Sequence, residues 1–160
     1  MQSAELLLNR FYSAFQQLDY KTMQDCYSDQ VIFSDPVFGL LKADEVKAMW
    51  EMLCKNAKNF SLTYSDIQPV DEEYSTCKWT AIYTFSKTGN KVVNSIKAFV
   101  RIQNEKIIEH SDAFRLSTWI AQALGWKGVL FGWTNFMKRA VQKQARNNLD
   151  SFLQKQNKGS

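Results

Sequence analysis

The chain has 160 residues, 45% of them apolar and 14% aromatic, with a net charge of +4. That is enough for one domain around one substantial core, and too apolar for intrinsic disorder. The single histidine and three scattered cysteines, Cys26, Cys54 and Cys77, match no zinc or redox spacing.

In chain order, Leu6, Leu7, Phe11, Phe15 and Leu18 recur at helical spacing and predict a helix over 4–18. Asp19 caps a short second helix over 20–27. Val31-Ile32-Phe33 reads as a short strand that stops at Asp35-Pro36, because proline pushes the preceding residue out of helical geometry. Gly39 permits a sharp change of direction. A third helix follows over 43–56, with Val46, Met49, Trp50 and Leu53 on one side. The period then changes to two. Phe60, Leu62 and Tyr64 share one face; Cys77, Trp79, Ala81, Tyr83 and Phe85 share the next; Ile96, Ala98, Val100 and Ile102 share another. Turns fall at Thr88-Gly89-Asn90 and Asn104-Glu105, and a last strand runs over 106–116. Helices first and hairpins later predict an α+β fold, a curved antiparallel sheet wrapped round N-terminal helices. A C-terminal helical extension completes it. One piece over 117–124 stops at Gly125; a longer helix, capped by Thr134, runs to 154 with Phe136, Ala140, Val141, Ala145, Leu149, Phe152 and Leu153 on its apolar face.

Two segments carry chemistry: Phe33-Ser34-Asp35-Pro36 and Ile108-Glu109-His110-Ser111-Asp112. Side chains alternate along a strand, so Ile108, His110, Asp112 and Phe114 point one way, and residues two apart lie about 6.5 Å from each other. A carboxylate among such apolar neighbours loses hydration, and its pKa rises toward the range useful for proton transfer. Asp35, His110 and Asp112 are therefore the candidate catalytic groups. The plainer readings are a turn capped by Asp35 and a structural His110–Asp112 pair. Tyr12, Phe15, Phe33, Trp50, Trp79, Tyr83, Phe114 and Trp119 are candidate lining for a pocket, against the default that such aromatics build the core.

Other chemistries find no support. No Gly-rich loop suits a phosphate, and no serine stands in a nucleophile elbow. No metal or cofactor is expected. The N-terminus lacks a basic region followed by an apolar run, so a cytoplasmic protein with free thiols is expected. No acidic residue lies between Leu116 and Leu149, while Lys127, Lys138, Arg139, Lys143 and Arg146 stand near Trp126, Phe131 and Trp133. A packing helix with a solvated outer face is expected there in preference to a membrane contact. Nucleic acid is not an expected partner.

Three stretches in this order resemble the nuclear transport factor 2-like superfamily, in its SnoaL-like and ketosteroid-isomerase-like branches. They are Phe15-Gln16-Gln17-Leu18-Asp19-Tyr20, then Tyr27-Ser28-Asp29-Gln30-Val31-Ile32-Phe33-Ser34-Asp35-Pro36, then Ile107-Ile108-Glu109-His110-Ser111-Asp112. Gln122-Ala123-Leu124-Gly125 is similar to the ending of some SnoaL-like proteins. The resemblance implies a cone domain over 1–116, extended by helices over 117–160, with a cavity for a small apolar molecule and a homodimer through the outer sheet face. It also implies that Asp35 stands where ketosteroid isomerases keep the base that moves a proton next to a carbonyl. Phe11, with Tyr12 beside it, falls where their first-helix tyrosine would be, and the place of their second donor falls near Ala98. The oxyanion apparatus of that branch is thus incomplete. In SnoaL-like cyclases an acid near the last strand moves the proton, and Asp112 is its nearby counterpart.

Two functions follow as expectations. One is a cofactor-free isomerase or cyclase, in which Asp35 or Asp112 removes a proton, His110 orients the acid or donates to the oxygen, and the carboxylate opens into a cavity of about 300 Å³ or more. The other is a non-catalytic module that binds an apolar ligand or a partner protein.

Overall fold

The computed structural model describes residues 2–159. Its elements are α1 (Gln2–Gln16), α2 (Tyr20–Asp25), β1 (Tyr27–Asp35), β2 (Gly39–Lys42), α3 (Ala43–Asn56), β3 (Ser61–Pro69), β4 (Tyr74–Thr84), β5 (Lys91–Gln103), β6 (Lys106–Ala113), α4 (Leu116–Leu124), α5 (Trp126–Phe131) and α6 (Asn135–Lys158).

On α1, Leu7, Leu8, Phe11, Tyr12 and Phe15 are buried at helical spacing, whereas Leu6 is exposed. The inward stripe is therefore turned slightly from the predicted one. Leu18 sits beyond the helix at φ 56°, a left-handed conformation that ends it. Asp19 then accepts the Thr22 amide at 3.1 Å and caps α2.

The six strands form one sheet in the order β2-β1-β6-β5-β4-β3. Its pairs are antiparallel except β1 with β6, which run parallel with Phe33 opposite His110 and Ser34 opposite Ser111. The alternating strands from β3 to β6 are antiparallel as expected; the short strand at Val31–Phe33 had no predicted partner. The long connection through α3 and the β3–β5 meander brings β6 back beside β1 in the same direction. Two further differences concern length. β1 reaches back to Tyr27 across the polar stretch Ser28-Asp29-Gln30, where its register with β6 shifts. β2 is a four-residue return strand that the sequence pattern did not reveal.

The inner face carries Cys77, Trp79 and Ala81 on β4, Ile96, Ala98 and Val100 on β5, and Ile107, His110 and Asp112 on β6. These pack on α1 and α3 to make the core. The outer face is mostly polar, with Val93 and Phe99 exposed on it, and a groove of about 630 Å³ is lined by Thr63, Ser65, Lys78, Thr80, Ser95 and Lys97 among others.

The last helix crosses α3. Arg146 donates to Glu45 at 2.6 Å, Gln156 donates to Glu51 at 2.8 Å, and Leu149 is fully buried. At 24 residues α6 is about 36 Å long, against about 21 Å for the 14 residues of α3. Its first turns therefore overhang, and Phe136, placed on the predicted apolar face, is exposed. Gln142, farther along, donates to the Pro36 carbonyl at 3.0 Å.

Candidate active site

Parity and register together place the chemistry. β1 and β6 run side by side, and from Phe33 and His110 onward they alternate in step: Phe33 and His110 face inward, while Ser34 and Ser111 face outward and share a 3.1 Å hydroxyl contact; before that the register shifts, so Ile107 is buried and Ile108, expected on the inner face, is half-buried. One inward step on from Phe33 is Asp35, and one on from His110 is Asp112. The same parallel register thus carries both carboxylates to the inner face, at the end of the β1–β6 pair.

His110 is buried, and both its nitrogens are engaged. Nδ1 lies 2.7 Å from the Tyr27 hydroxyl and Nε2 lies 3.0 Å from Asp112 Oδ1. The Trp50 indole N–H donates to the Tyr27 oxygen at 2.9 Å. If Tyr27 is to use its own hydrogen, it gives it to Nδ1, which leaves the imidazole hydrogen on Nε2, aimed at Asp112. The Trp79 indole N–H approaches the same Asp112 oxygen at 3.3 Å. A directed chain therefore runs from Trp50 through Tyr27 and His110 to Asp112. Burial, with the Asp112 charge adding to it, holds the Tyr27 hydroxyl well above its ordinary acidity range, so it stays a donor. Phe11 and Phe33 meet the imidazole edge to face, and Trp50 stacks on it at 6.2 Å. The ring is fixed on every side.

Asp35 occupies the turn after β1. Its Oδ1 accepts the backbone amides of Val37 at 2.8 Å and Phe38 at 2.6 Å, the turn-capping role that an Asp-Pro pair favours. Burial pushes its carboxyl up to about 6; the nearby Asp112 charge adds to this, and the two amides oppose it. The capping and inner-face readings of Asp35 are thus compatible, since one oxygen serves the turn.

The Tyr12 hydroxyl is buried without a hydrogen-bond partner. Burial holds its phenol protonated far above pH 10, helped by the charge of Asp112 and by the neighbouring Cys77. The Cys77 thiol is the polar group beside it, a weak acceptor that leaves the hydroxyl poorly satisfied.

The structure sorts the remaining lining candidates. Phe15, Phe33 and Trp50 are packed against one another at ring separations of 5.0 and 5.8 Å, with Phe15 also 5.5 Å from Trp79. On the inner side of the sheet they make edge-to-face aromatic contacts with one another. Phe114, just past β6, is half-buried against the core. Tyr83 and Trp119 lie elsewhere. They share a 2.6 Å hydrogen bond, and Tyr83 is four residues, about 13 Å, along β4 from Trp79. The 630 Å³ groove borders Trp79 but neither carboxylate.

Sequence reasoning missed Tyr27. It stands at the start of β1, 83 residues from its histidine partner, and the polar residues after it broke the apolar run that would have marked the strand. Its one signal was an aromatic at the parity of Val31 and Phe33. Among the described residues, no group of three or more His, Cys, Asp or Glu side chains is placed to hold a metal ion. Cys26, Cys54 and Cys77 are free and buried, and burial pushes the Cys77 thiol up to about 11.

No curated protein matches this chain. Solved structures do. A candidate polyketide cyclase from Pseudomonas putida is 22% identical, with a TM-score of 0.62, over 76% of this chain and 98% of that one. A nuclear transport factor 2-like protein of unknown function from Burkholderia pseudomallei is 17% identical, with a TM-score of 0.67, over 77% and 98%. TerC, co-crystallised with polyporic acid, is 11% identical, with a TM-score of 0.67, over 77% and 99%. At these identities the likeness is one of fold. The model of the SnoaL-like domain matches residues 8–110, well over half of the sequence, and so the chain belongs to the SnoaL-like family of nuclear transport factor 2-like folds.

Proposed function

We propose that this protein binds a small apolar carbonyl compound at the inner end of β1 and β6 and moves a proton next to the carbonyl, as an isomerase or cyclase without a cofactor. The observation that carries this reading is Asp35, an inner-face carboxyl whose acidity is shifted to about 6 beside Asp112. A base poised near neutral pH takes a weakly acidic proton and returns it. Asp112, oriented by His110 and Trp79, is the second carboxylate, and the Tyr12 hydroxyl donates to the guest's oxygen. His110 is a positioning residue, because its two nitrogens are already occupied. Access is past the Asp35–Phe38 turn and Phe114, all half-buried. Residues 117–160 extend the cone domain of residues 1–116.

The test follows conversion of 3-cyclohexen-1-one to its conjugated isomer, and solvent deuterium uptake by apolar ketones. Activity is expected to rise as a group near pH 6 loses its proton. Asp35→Asn keeps the turn, since an amide oxygen still accepts both backbone N–H groups, and is expected to lose about 100-fold or more. Full activity in Asp35→Asn would remove the base from this mechanism.

A second reading is supported by the same turn bonds and by the closed surroundings of His110: binding without turnover. It predicts that Asp35→Asn and Asp112→Asn retain ligand affinity and that no carbonyl compound turns over.

A further inference from the structure

The segment 126–136 is built inside out. A surface helix ordinarily buries its large apolar side chains and exposes small or polar ones. In α5 the buried residue is Gly128, and Gly132 just after the helix is buried too. A Cβ on Gly128 would fall 2.2 Å from the Ile120 carbonyl oxygen, and one on Gly132 would fall 2.9 Å from the Ile120 side chain. Both glycines are thus the contact surface with α4, and their lack of side chains lets the helices touch. The large residues are left outside: Trp126, Val129, Leu130, Phe131, Trp133 and Phe136 are each between 50% and 82% exposed. So dense an apolar face marks an interaction site.

The charge of the face says what covers it. Lys127 lies over the Trp126 ring at 5.6 Å, and Arg139 and Lys143 are exposed on the following turns of α6. Among the described residues none of these three ion-pairs with a carboxylate, in contrast to Arg146, which is held by Glu45 and Asp150. No acidic residue occurs between Leu116 and Leu149 to offset them. A second copy laid symmetrically on this face would set basic side chains against basic side chains. An anionic lipid surface offers the opposite charge, and its interface is where tryptophan and phenylalanine beside lysine and arginine are most stable. No described helix is long and apolar enough to cross a membrane, so contact would be peripheral.

We infer that α5 and the first turns of α6 form a docking face for an anionic membrane surface. This inference is independent of the chemistry proposed for Asp35.

Co-sedimentation tests it, with vesicles of phosphatidylcholine alone and vesicles in which one third is phosphatidylglycerol. The full chain is expected to sediment with the mixed vesicles at low salt, about tenfold or more tightly than with the neutral ones. Trp126→Ser/Trp133→Ser/Phe136→Ser changes only exposed side chains and is expected to keep the wild-type circular dichroism and melting curve while binding mixed vesicles about tenfold more weakly. Lys127→Glu/Arg139→Glu/Lys143→Glu is expected to abolish the preference for phosphatidylglycerol. Failure of the wild type to sediment with mixed vesicles overturns the inference, as does binding that neither variant alters. Sedimentation-velocity runs give a further check: a dimer dispersed by the triple serine variant, with no vesicle binding, assigns the face to a second copy instead.

Discussion

His110 and Asp112, two residues apart on one strand, are joined at 3.0 Å through Nε2, while the other ring nitrogen is held 2.7 Å from Tyr27. The imidazole therefore has no free edge for a guest, and its effect on Asp112 is to fix which oxygen is engaged. Removing Tyr27's hydroxyl tests this arrangement. Tyr27→Phe leaves the Trp50 N–H and His110 Nδ1 unpaired in the core and is expected to cost about 1–3 kcal/mol by chemical denaturation. Nitrogen-15 NMR of His110 should then show loss of the single fixed tautomer. An unchanged spectrum would mean the ring is held by aromatic packing alone.

Asp112 can be tested by shape and by charge. Asp112→Asn still offers an oxygen to His110 and Trp79, so stability is expected to change by about 1 kcal/mol or less, while proton transfer suffers. Asp112→Leu leaves both donors unpaired and is expected to cost about 2–4 kcal/mol. Equal stability losses in the two variants would contradict the hydrogen-bonded pair.

Asp35 gives a pH dependence with a definite sign. Its carboxyl is held at about 6 in the fold, above the ordinary carboxyl value near 3.8 that an unfolded chain has. Between about pH 4 and 6 the folded protein keeps a proton that the unfolded chain has released. Stability from this group is therefore complete below pH 4 and falls as pH rises through 6, by about 2–3 kcal/mol in all. Asp35→Asn does not titrate, so its stability relative to wild type should increase by that amount between pH 4 and pH 7. Denaturant unfolding at both pH values checks it, and a difference that stays constant refutes it.

Gly128→Ala should act through backbone crowding. The added methyl would meet the Ile120 carbonyl and the Ala121 Cα at under 3 Å, neither of which can swing aside. A loss of about 1–3 kcal/mol is expected, with faster amide exchange confined to α4 and α5.

Leu149→Ala should loosen α6 where it meets the core. A fully buried leucine truncated to alanine costs about 2–5 kcal/mol. Because Gln142 of the same helix binds the Pro36 carbonyl, amide exchange should also quicken at Val37 and Phe38. Unaltered protection there would show that the turn is held by Asp35 alone.

The parts of this fold that were legible in the sequence are those with a strong period. Alternation in Cys77–Phe85 and Ile96–Ile102 located β4 and β5, although β4 ends at Thr84, and the stripe Val46, Met49, Trp50 and Leu53 marked α3, which spans Ala43–Asn56, although Leu53 is exposed. Parity alone placed His110 and Asp112 on one face. What stayed hidden depended on long-range pairing. The parallel partnership of β1 with β6 has no local signature, nor has the four-residue β2, which exists because it pairs with Ile32 to Asp35. Phe136 was misjudged because helical periodicity reports an apolar stripe and not whether anything lies against it. The open or filled state of the cone is equally illegible, since the same aromatics line a hollow or close it according to how their rings tilt.

The donors that reach Asp112 are all formally neutral when the imidazole carries its hydrogen on Nε2. Trp50, Tyr27 and His110 point their N–H and O–H dipoles in one sense along the chain, and Trp79 adds another from the side. With that tautomer, fixed N–H dipoles converge on one oxygen of Asp112. Under the function proposed above, such a preset shell would need no rearrangement when a neutral guest arrives.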